Sequence, residues 1–148
     1  MHVDADGHAA VDPVRLERLA RHVLTELAVP HELELSIICV DPQRIVELNE
    51  AHLGGSGPTD VLAFPIDAVG DVQAGVPGLL GDVVVCPAVA ADQAADHERT
   101  PPAELDLLVV HGILHLLGHD HAADDERARM FGLTTTLLDG FALQGGQP

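Results

Sequence analysis

The stretch "LDLLVVHGILHLLGHDH", residues 105–121, says most about the fold and the function of this chain. An apolar run leads into it, and four histidines follow in quick succession. His111 and His115 are four residues apart, so on a helix their side chains leave the same face about one turn apart. Two imidazoles placed in this way can reach one metal ion. The stretch therefore predicts a helix whose end carries a pair of metal-binding histidines.

A third ligand is expected just beyond the helix. Gly118 can adopt a left-handed backbone conformation that ends the helix and turns the chain back. His121 can then meet the first two histidines, whereas His119 is expected to point away from them. Three neutral imidazoles leave a fourth tetrahedral position open, as in catalytic zinc sites. The chain has ten histidines, and the whole pattern is much more specific than one histidine pair.

The residue after the first histidine separates this pattern from a similar one. Zinc proteases have the spacing His-Glu-x2-His-x2-Gly-x2-His, in which the glutamate is the general base. Here that position is Gly112, which argues against peptide hydrolysis. Glycine inside a helix costs about 1 kcal/mol relative to alanine. Either a close approach of backbone or substrate, or tight packing of a neighbouring element, would explain it.

Hydrophobic periodicity and helix start signals predict a single α+β domain over residues 1–148. We expect three or four strands and five helices, with a flexible tail over residues 143–148. A surface loop, 67–80, is expected to join an antiparallel pair of strands. The predicted helices cover residues 12–28, 42 to about 53, 87–97, 100–117 and 124–140, and the strands 1–6, 32–40, 60–66 and 81–87.

Composition limits the class of protein. Hydrophobic residues make up 47% of the 148, which indicates a globular chain, and no apolar run approaches the ~20 residues of a membrane helix. The acidic, polar N-terminus is not a secretory signal, so we expect a cytoplasmic protein. Cys39 and Cys86 are expected to be buried thiols and not a disulfide.

The net charge of −17, with seven arginines and no lysine, repels polyanions in general. A nucleic-acid substrate would need a local basic patch. The same acidity can also reflect the composition habits of the source organism, so the charge alone does not decide the function.

Two carboxylates are candidates for the role of general base. Glu104 lies two helical turns before His111 and shares its face, although a favourable interaction with the helix dipole explains it equally well. Asp120 lies inside the turn and can hydrogen-bond a ligand imidazole, or simply stabilise the turn. Asp60 and Asp82, next to predicted strands, are interpreted as turn or cap residues.

Three stretches together resemble a known family. The histidine motif resembles His-Gly-x-Leu-His-Leu-x-Gly-Tyr-Asp-His, the signature of the YbeY family of bacterial metal-dependent endoribonucleases. "GPTDVLAFP", 57–65, resembles that family's Pro-Thr-Asp-Val-Leu-Ser-Phe stretch, and "LLGDVVVCP", 79–87, its Leu-Gly-Asp-Ile strand. Order and spacing agree for all three, and the resemblance covers almost the whole chain.

The resemblance implies a zincin-like fold with a mixed sheet of about four strands. It also implies one Zn²⁺ per chain, held by His111, His115 and His121, although another transition metal also suits three imidazoles. The implied function is cleavage of single-stranded RNA in ribosomal RNA maturation, at the 3′ end of the small-subunit RNA, and in ribosome quality control. The implied partners are ribosomal RNA and ribosome-associated proteins, without a membrane and without DNA specificity.

The chain departs from the family at several positions. His119 replaces the usual tyrosine and Ala63 the usual serine. Many members have an arginine in the loop before Pro58, whereas this loop, "AHLGGSG", has only His52 as a possible positive charge. We expect RNA contacts instead from the first two helices. The candidates are Arg15, Arg18, Arg21, Arg44 and His52, although an ordinary solvated helix face explains these arginines at least as well.

The sequence is compatible with three functions. The first is a zinc-dependent endoribonuclease, in which either water or the RNA's own 2′-hydroxyl is the nucleophile. The second is a non-catalytic, metal-stabilised ribosome assembly factor. The third is a metal-dependent hydrolase of a substrate other than RNA.

Overall fold

The computed structural model describes residues 1–52, 60–67, 76–119 and 124–143. Four strands and five helices lie in these ranges, which confirms the predicted α+β class and the number of elements. In chain order they are β1 (His2–Asp4), α1 (Pro13–Glu26), β2 (Leu33–Cys39), α2 (Pro42–His52), β3 (Val61–Pro65), β4 (Gly78–Val85), α3 (Pro87–Asp96), α4 (Pro101–Leu116) and α5 (Asp124–Leu143).

The strands form one mixed sheet in the order β1-β2-β4-β3. β1, β2 and β4 run parallel, and β3 runs antiparallel to β4, as predicted for that pair. The short N-terminal strand lies at one edge of the sheet, in agreement with the prediction. The predicted α+β fold with a mixed sheet of four strands is therefore confirmed.

The predicted loop over residues 67–80 was too long at its second end, because β4 begins at Gly78. The ladder continues past the end of β3: Ile66 N–H donates to Leu80 O, and Asp67 N–H donates to Leu79 O. The Asp67 carboxylate in turn accepts from Leu79 N–H at 2.8 Å. These bonds extend the strand into residues that composition alone assigned to a loop.

Local signals placed the helix starts correctly. The Asp12 carboxylate accepts hydrogen bonds from Val14 N–H and Arg15 N–H, and Thr100 Oγ1 accepts from Ala103 N–H. Both therefore act as the N-caps that their residue types favour. At the other end of the chain, α5 continues past the predicted stop at Gly140, because Phe141 is buried in the core. Leu143 is still helical, and residues 144–148 of the predicted flexible tail lie outside the described residues.

The core lies mainly on one face of the sheet. Alternate residues of β2, among them Leu35 and Ile37, pack with α1, α4 and α5. A smaller cluster around Ile45 of α2 covers part of the other face. Cys39 and Cys86 are both buried and free, as predicted. Within the described ranges, no helix is long and apolar enough to cross a membrane.

The histidine helix, α4, packs against β3 and β4 and against α1, α3 and α5. It packs tightly on the sheet at Gly112, where an added Cβ would lie 2.5 Å from Val83 Cγ1 and 3.2 Å from Val61 Cγ2. No real Cβ fits at the first of these distances without displacing a neighbour. Tight packing, one of the two explanations considered for this glycine, therefore accounts for it.

Candidate functional site

His111 and His115 lie on one face of α4, and both line the same open cavity of about 410 Å³. Both residues are half-buried. The His111 ring forms a T-shaped pair with Phe131 of α5, with 5.1 Å between ring centroids. The remaining lining residues come from the start of β3, from α4 and from α5: Asp60, Val61, Leu108, Arg127 and Met130. Three elements therefore surround the histidine pair.

The turn after the pair has the predicted form. Gly118 has φ +94° and follows the C-cap Leu117. Gly118 N–H donates to His115 O and His119 N–H donates to Leu114 O, the two bonds of a Schellman motif. An added Cβ at Gly118 would meet nothing within 4 Å, so glycine is favoured here by backbone conformation and not by space.

His119 is exposed and lines a different cavity, formed with Gly118, Glu126, Arg129 and Leu133. The structure therefore separates it from the His111–His115 pair. His121 and Asp120 lie outside the described residues, and so does the side chain of His52; their predicted roles stay predictions. Across the ranges given above, no three histidine, cysteine, aspartate or glutamate side chains could hold a metal ion together. A complete ligand set thus depends on a residue such as His121.

Glu104, the first candidate for general base, contacts other residues. Its side chain is only 2% exposed, and His97 Nδ1 lies 3.1 Å from each carboxylate oxygen. The Arg99 guanidinium also donates to this carboxylate, at 3.1 Å. Glu104 does not line the cavity, and the rise of an α-helix places it about 10 Å along the axis from His111. The structure therefore places Glu104 in contact with the segment that joins α3 to α4, and gives it no contact with the histidine pair.

The four arginines expected to contact RNA do not form one surface. Arg15 donates two hydrogen bonds to Asp106 of α4, at 2.7 and 2.5 Å, and its side chain is 15% exposed. Arg18 and Arg21 are exposed on α1, and Arg44 on α2 pairs with Glu47 at 3.5 Å. None of the four is among the described residues that line the histidine cavity.

The Arg15–Asp106 pair is largely buried and coupled. Burial raises the pKa of the Asp106 carboxyl, and the hydrogen bonds from Arg15 only partly oppose that shift. The hydrogen bond to Asp106 in turn raises the pKa of Arg15. Arg15 also lies over the Phe141 ring, 5.7 Å from its centroid, so the pair links α1, α4 and α5. Its contacts indicate a role in stability, in contrast to the predicted RNA contact.

Sequence reasoning missed three polar or aromatic residues of the cavity, Asp60, Arg127 and Phe131. Asp60 was interpreted as a turn residue, yet it is the one carboxylate among the described lining residues. Arg127 and Phe131 were not singled out at all. Their only sequence signal is a spacing of four residues on the helix that follows the histidine motif, which places them on one face.

The comparisons with known proteins agree on one family. The model of the family described as Endoribonuclease YbeY matches residues 3–142. A protein from Kineococcus radiotolerans with the same name is 47% identical, over 93% of this chain and 82% of its own length. One from Thermobifida fusca is 45% identical, over 95% of this chain and 94% of its own length.

A solved structure is also similar. The solution structure of TM1509 from Thermotoga maritima superposes with a TM-score of 0.58 at 25% identity, covering 99% of this chain and 94% of that chain. The family match spans nearly all of the chain, including the histidine helix and the cavity around it. This chain belongs to the YbeY endoribonuclease family.

Proposed function

We propose that this chain is a metal-dependent endoribonuclease that cleaves single-stranded RNA at the His111–His115 cavity. The observation that carries the proposal is the pair itself: two imidazoles one turn apart that line one open cavity. Membership of a family described as endoribonucleases supports the reaction class. The cavity is open to solvent at its α5 side, where Arg127 and Phe131 are exposed, so a polymer can reach it.

The residues present fit one zinc ion, or another transition metal, per chain. His111 and His115 supply two imidazole donors from a rigid helix, and His121, three residues after Gly118, is the proposed third. Because Gly112 has no side chain, this helix packs closely against β3 and β4, so both donors lie on a tightly packed element. When bound, the metal would polarise a phosphoryl oxygen and offset the negative charge that builds up during cleavage.

The protein's own side chains supply the rest of the site. Phe131 packs against the His111 ring and restricts its orientation. Val61, Leu108 and Met130 make the cavity wall apolar, which strengthens electrostatic interactions with a bound phosphate. Asp60 is the one carboxylate among the described residues that line the cavity, and it replaces Glu104 as the candidate that accepts a proton from water or from a 2′-hydroxyl. Asp120 remains the second candidate.

The biological substrate we propose is ribosomal RNA, cut during maturation of the 3′ end of the small-subunit RNA and during ribosome quality control in the cytoplasm. Ribosome-associated proteins are the proposed partners. The support for this is the resemblance in the three motifs and the family membership. The missing loop arginine and the net charge of −17 mean that RNA must bind through local contacts at the cavity.

The experiment compares the repurified wild-type protein with His115→Ala and with His119→Ala as a matched control. His119 lies four residues further along the chain, is exposed, and lines a different cavity. We expect His115→Ala to reduce cleavage of a single-stranded RNA to background and His119→Ala to retain it. Equal cleavage by wild type and His115→Ala would assign the activity to a contaminant and reject the proposal.

Two further measurements complete the test. Elemental analysis of protein prepared without chelator should find about one zinc or similar ion per chain in the wild type and much less in His115→Ala. The chemistry of the product ends distinguishes the nucleophiles, since attack by the 2′-hydroxyl leaves a cyclic or 3′-phosphate, whereas attack by water can leave a 3′-hydroxyl. Binding of immature ribosomes without any cleavage would favour the assembly-factor interpretation.

A further inference from the structure

Two side chains of α5 stand at the edge of the histidine cavity. Arg127 and Phe131 both line it, and they are four residues apart on the same helix. This spacing puts them on one face about 6 Å apart along the axis. One is a cation and the other an aromatic ring, so together they present two different kinds of contact to a single ligand beside His111 and His115.

Arg127 differs from most arginines of the chain. It is exposed, and the described residues provide it with no ion-pair partner. It is also the one arginine among the described residues that line the cavity. Five of the seven arginines do form ion pairs with carboxylates, namely Arg15, Arg21, Arg44, Arg99 and Arg129. Arg127 is thus the permanent cation that remains available to an anion entering the cavity.

Phe131 is equally unusual for its type. The chain has three phenylalanines and neither tyrosine nor tryptophan. Of these, Phe141 is buried in the core, whereas Phe131 is 48% exposed although it is aromatic and apolar. Its ring makes a T-shaped contact with the His111 ring. The exposed part of the ring therefore borders the cavity, where a planar group can stack on it.

We propose that Arg127 and Phe131 form a nucleotide-binding platform that selects unpaired RNA at this site. Arg127 binds a backbone phosphate next to the scissile bond, and Phe131 stacks with the adjoining base. Arginine binds phosphate as a charged, multiply donating group, and bases stack on aromatic rings only when they are unstacked from their neighbours. This rests on the proposed function and adds to it the two side chains that produce the preference for single strands, without preference for sequence.

The first measurement is binding, so that it does not depend on turnover. A fluorescent decamer of 2′-O-methyl ribonucleotides is titrated with the metal-loaded protein at several salt concentrations, and a gel verifies that the strand stays intact. We expect Arg127→Ala to weaken binding about tenfold and to reduce the slope of log K against log salt by about 0.7, the loss of one phosphate contact. Arg129→Ala, two residues further on the same helix and paired with Asp125, should leave the slope unchanged.

The second measurement isolates stacking. Phe131→Ala should weaken binding of the normal strand about tenfold, because one base–aromatic stack is lost. On a strand of the same length that is abasic throughout, wild type and Phe131→Ala should bind equally. Phe131→Tyr should restore binding, whereas Phe131→Leu, which keeps apolar bulk without the ring, should not.

These outcomes separate the inference from the proposed function. If RNA is cleaved in a His115-dependent way but Arg127→Ala and Phe131→Ala bind like wild type, the platform is wrong and the nuclease stands. If Phe131→Ala weakens binding equally on normal and abasic strands, the ring supports His111 only and the stacking contact is rejected. If no His115-dependent cleavage occurs at all, the proposed function fails first.

Discussion

The two ends of α4 differ in the burial and pairing of their charged and polar side chains. At the N-terminal end, Glu104 and Asp106 are buried, and each is held by cationic partners from elsewhere in the chain. Near the C-terminal end, His111 and His115 are half-buried and line an open cavity. A charge that is buried and paired contributes to the fold, whereas a polar group at a cavity remains available to a ligand. One helix therefore joins an end that supports the fold to an end that carries the proposed site.

The largest effect should come from breaking the buried pair at the structural end. Asp106→Ala leaves the Arg15 guanidinium without its carboxylate, and we expect a loss of about 3 kcal/mol in the free energy of unfolding. For a chain of this size that lowers Tm by roughly 6–12 °C. Thermal unfolding followed by circular dichroism measures it.

The control is the double variant Arg15→Met/Asp106→Leu. Burial raises the pKa of Asp106 despite the hydrogen bonds from Arg15. Packed apolar side chains can replace a buried ion pair at little cost, so the double variant should recover most of the stability. A Tm for Asp106→Ala within 2 °C of wild type would mean that this end of α4 does not depend on the pair.

The next effect concerns Gly112, where α4 packs against the sheet. Gly112→Ala places a Cβ against Val83, and the overpacking should cost about 1–3 kcal/mol and shift the histidine pair. Both Tm and RNA cleavage should fall. Gly132→Ala, on α5 with nothing within 4 Å of the added Cβ, should instead stabilise the protein by about 0.5–1 kcal/mol. Similar behaviour of the two variants would contradict tight packing at Gly112.

A smaller effect separates the two candidate roles of Glu104. Glu104→Gln keeps the side-chain shape but weakens the hydrogen bonds from His97 and Arg99, so stability should fall by about 1.5 kcal/mol. The rate of RNA cleavage should stay within twofold of wild type. A general base contributes about 10²–10⁴-fold to a rate. A loss of that size would return Glu104 to the catalytic site.

The smallest effect is expected on α1. Arg18→Ala and Arg21→Ala remove exposed arginines outside the cavity, so stability should change by less than about 0.5 kcal/mol. RNA affinity should change by less than about twofold, and its salt dependence should match wild type. If either variant instead reduced the slope of log K against log salt by about 0.7, as expected for Arg127→Ala, the first helix would be an RNA-binding surface after all.

Features that depend on neighbours in the sequence were predictable. The Asp12 and Thr100 caps, the left-handed Gly118 and the one-turn spacing of His111 and His115 all result from contacts within a few residues. Such contacts follow from residue type and helix geometry alone. The predicted loop before β4 was wrong at its end because strand pairing is a contact between distant residues.

The sequence by itself therefore determined the α+β class, the helix that carries the histidines and the turn that ends it. Only the tertiary structure decided which side chains line the cavity. From the sequence, Arg15 was a candidate for RNA contact and Glu104 for the general base. In the structure Arg15 pairs with Asp106, and Glu104 pairs with His97 and Arg99. Arg127 and Phe131 carried no motif, yet the packing of α5 beside α4 places them next to His111. The physical reason is that a charge's partner, and hence its availability, depends on distances that only the folded chain defines.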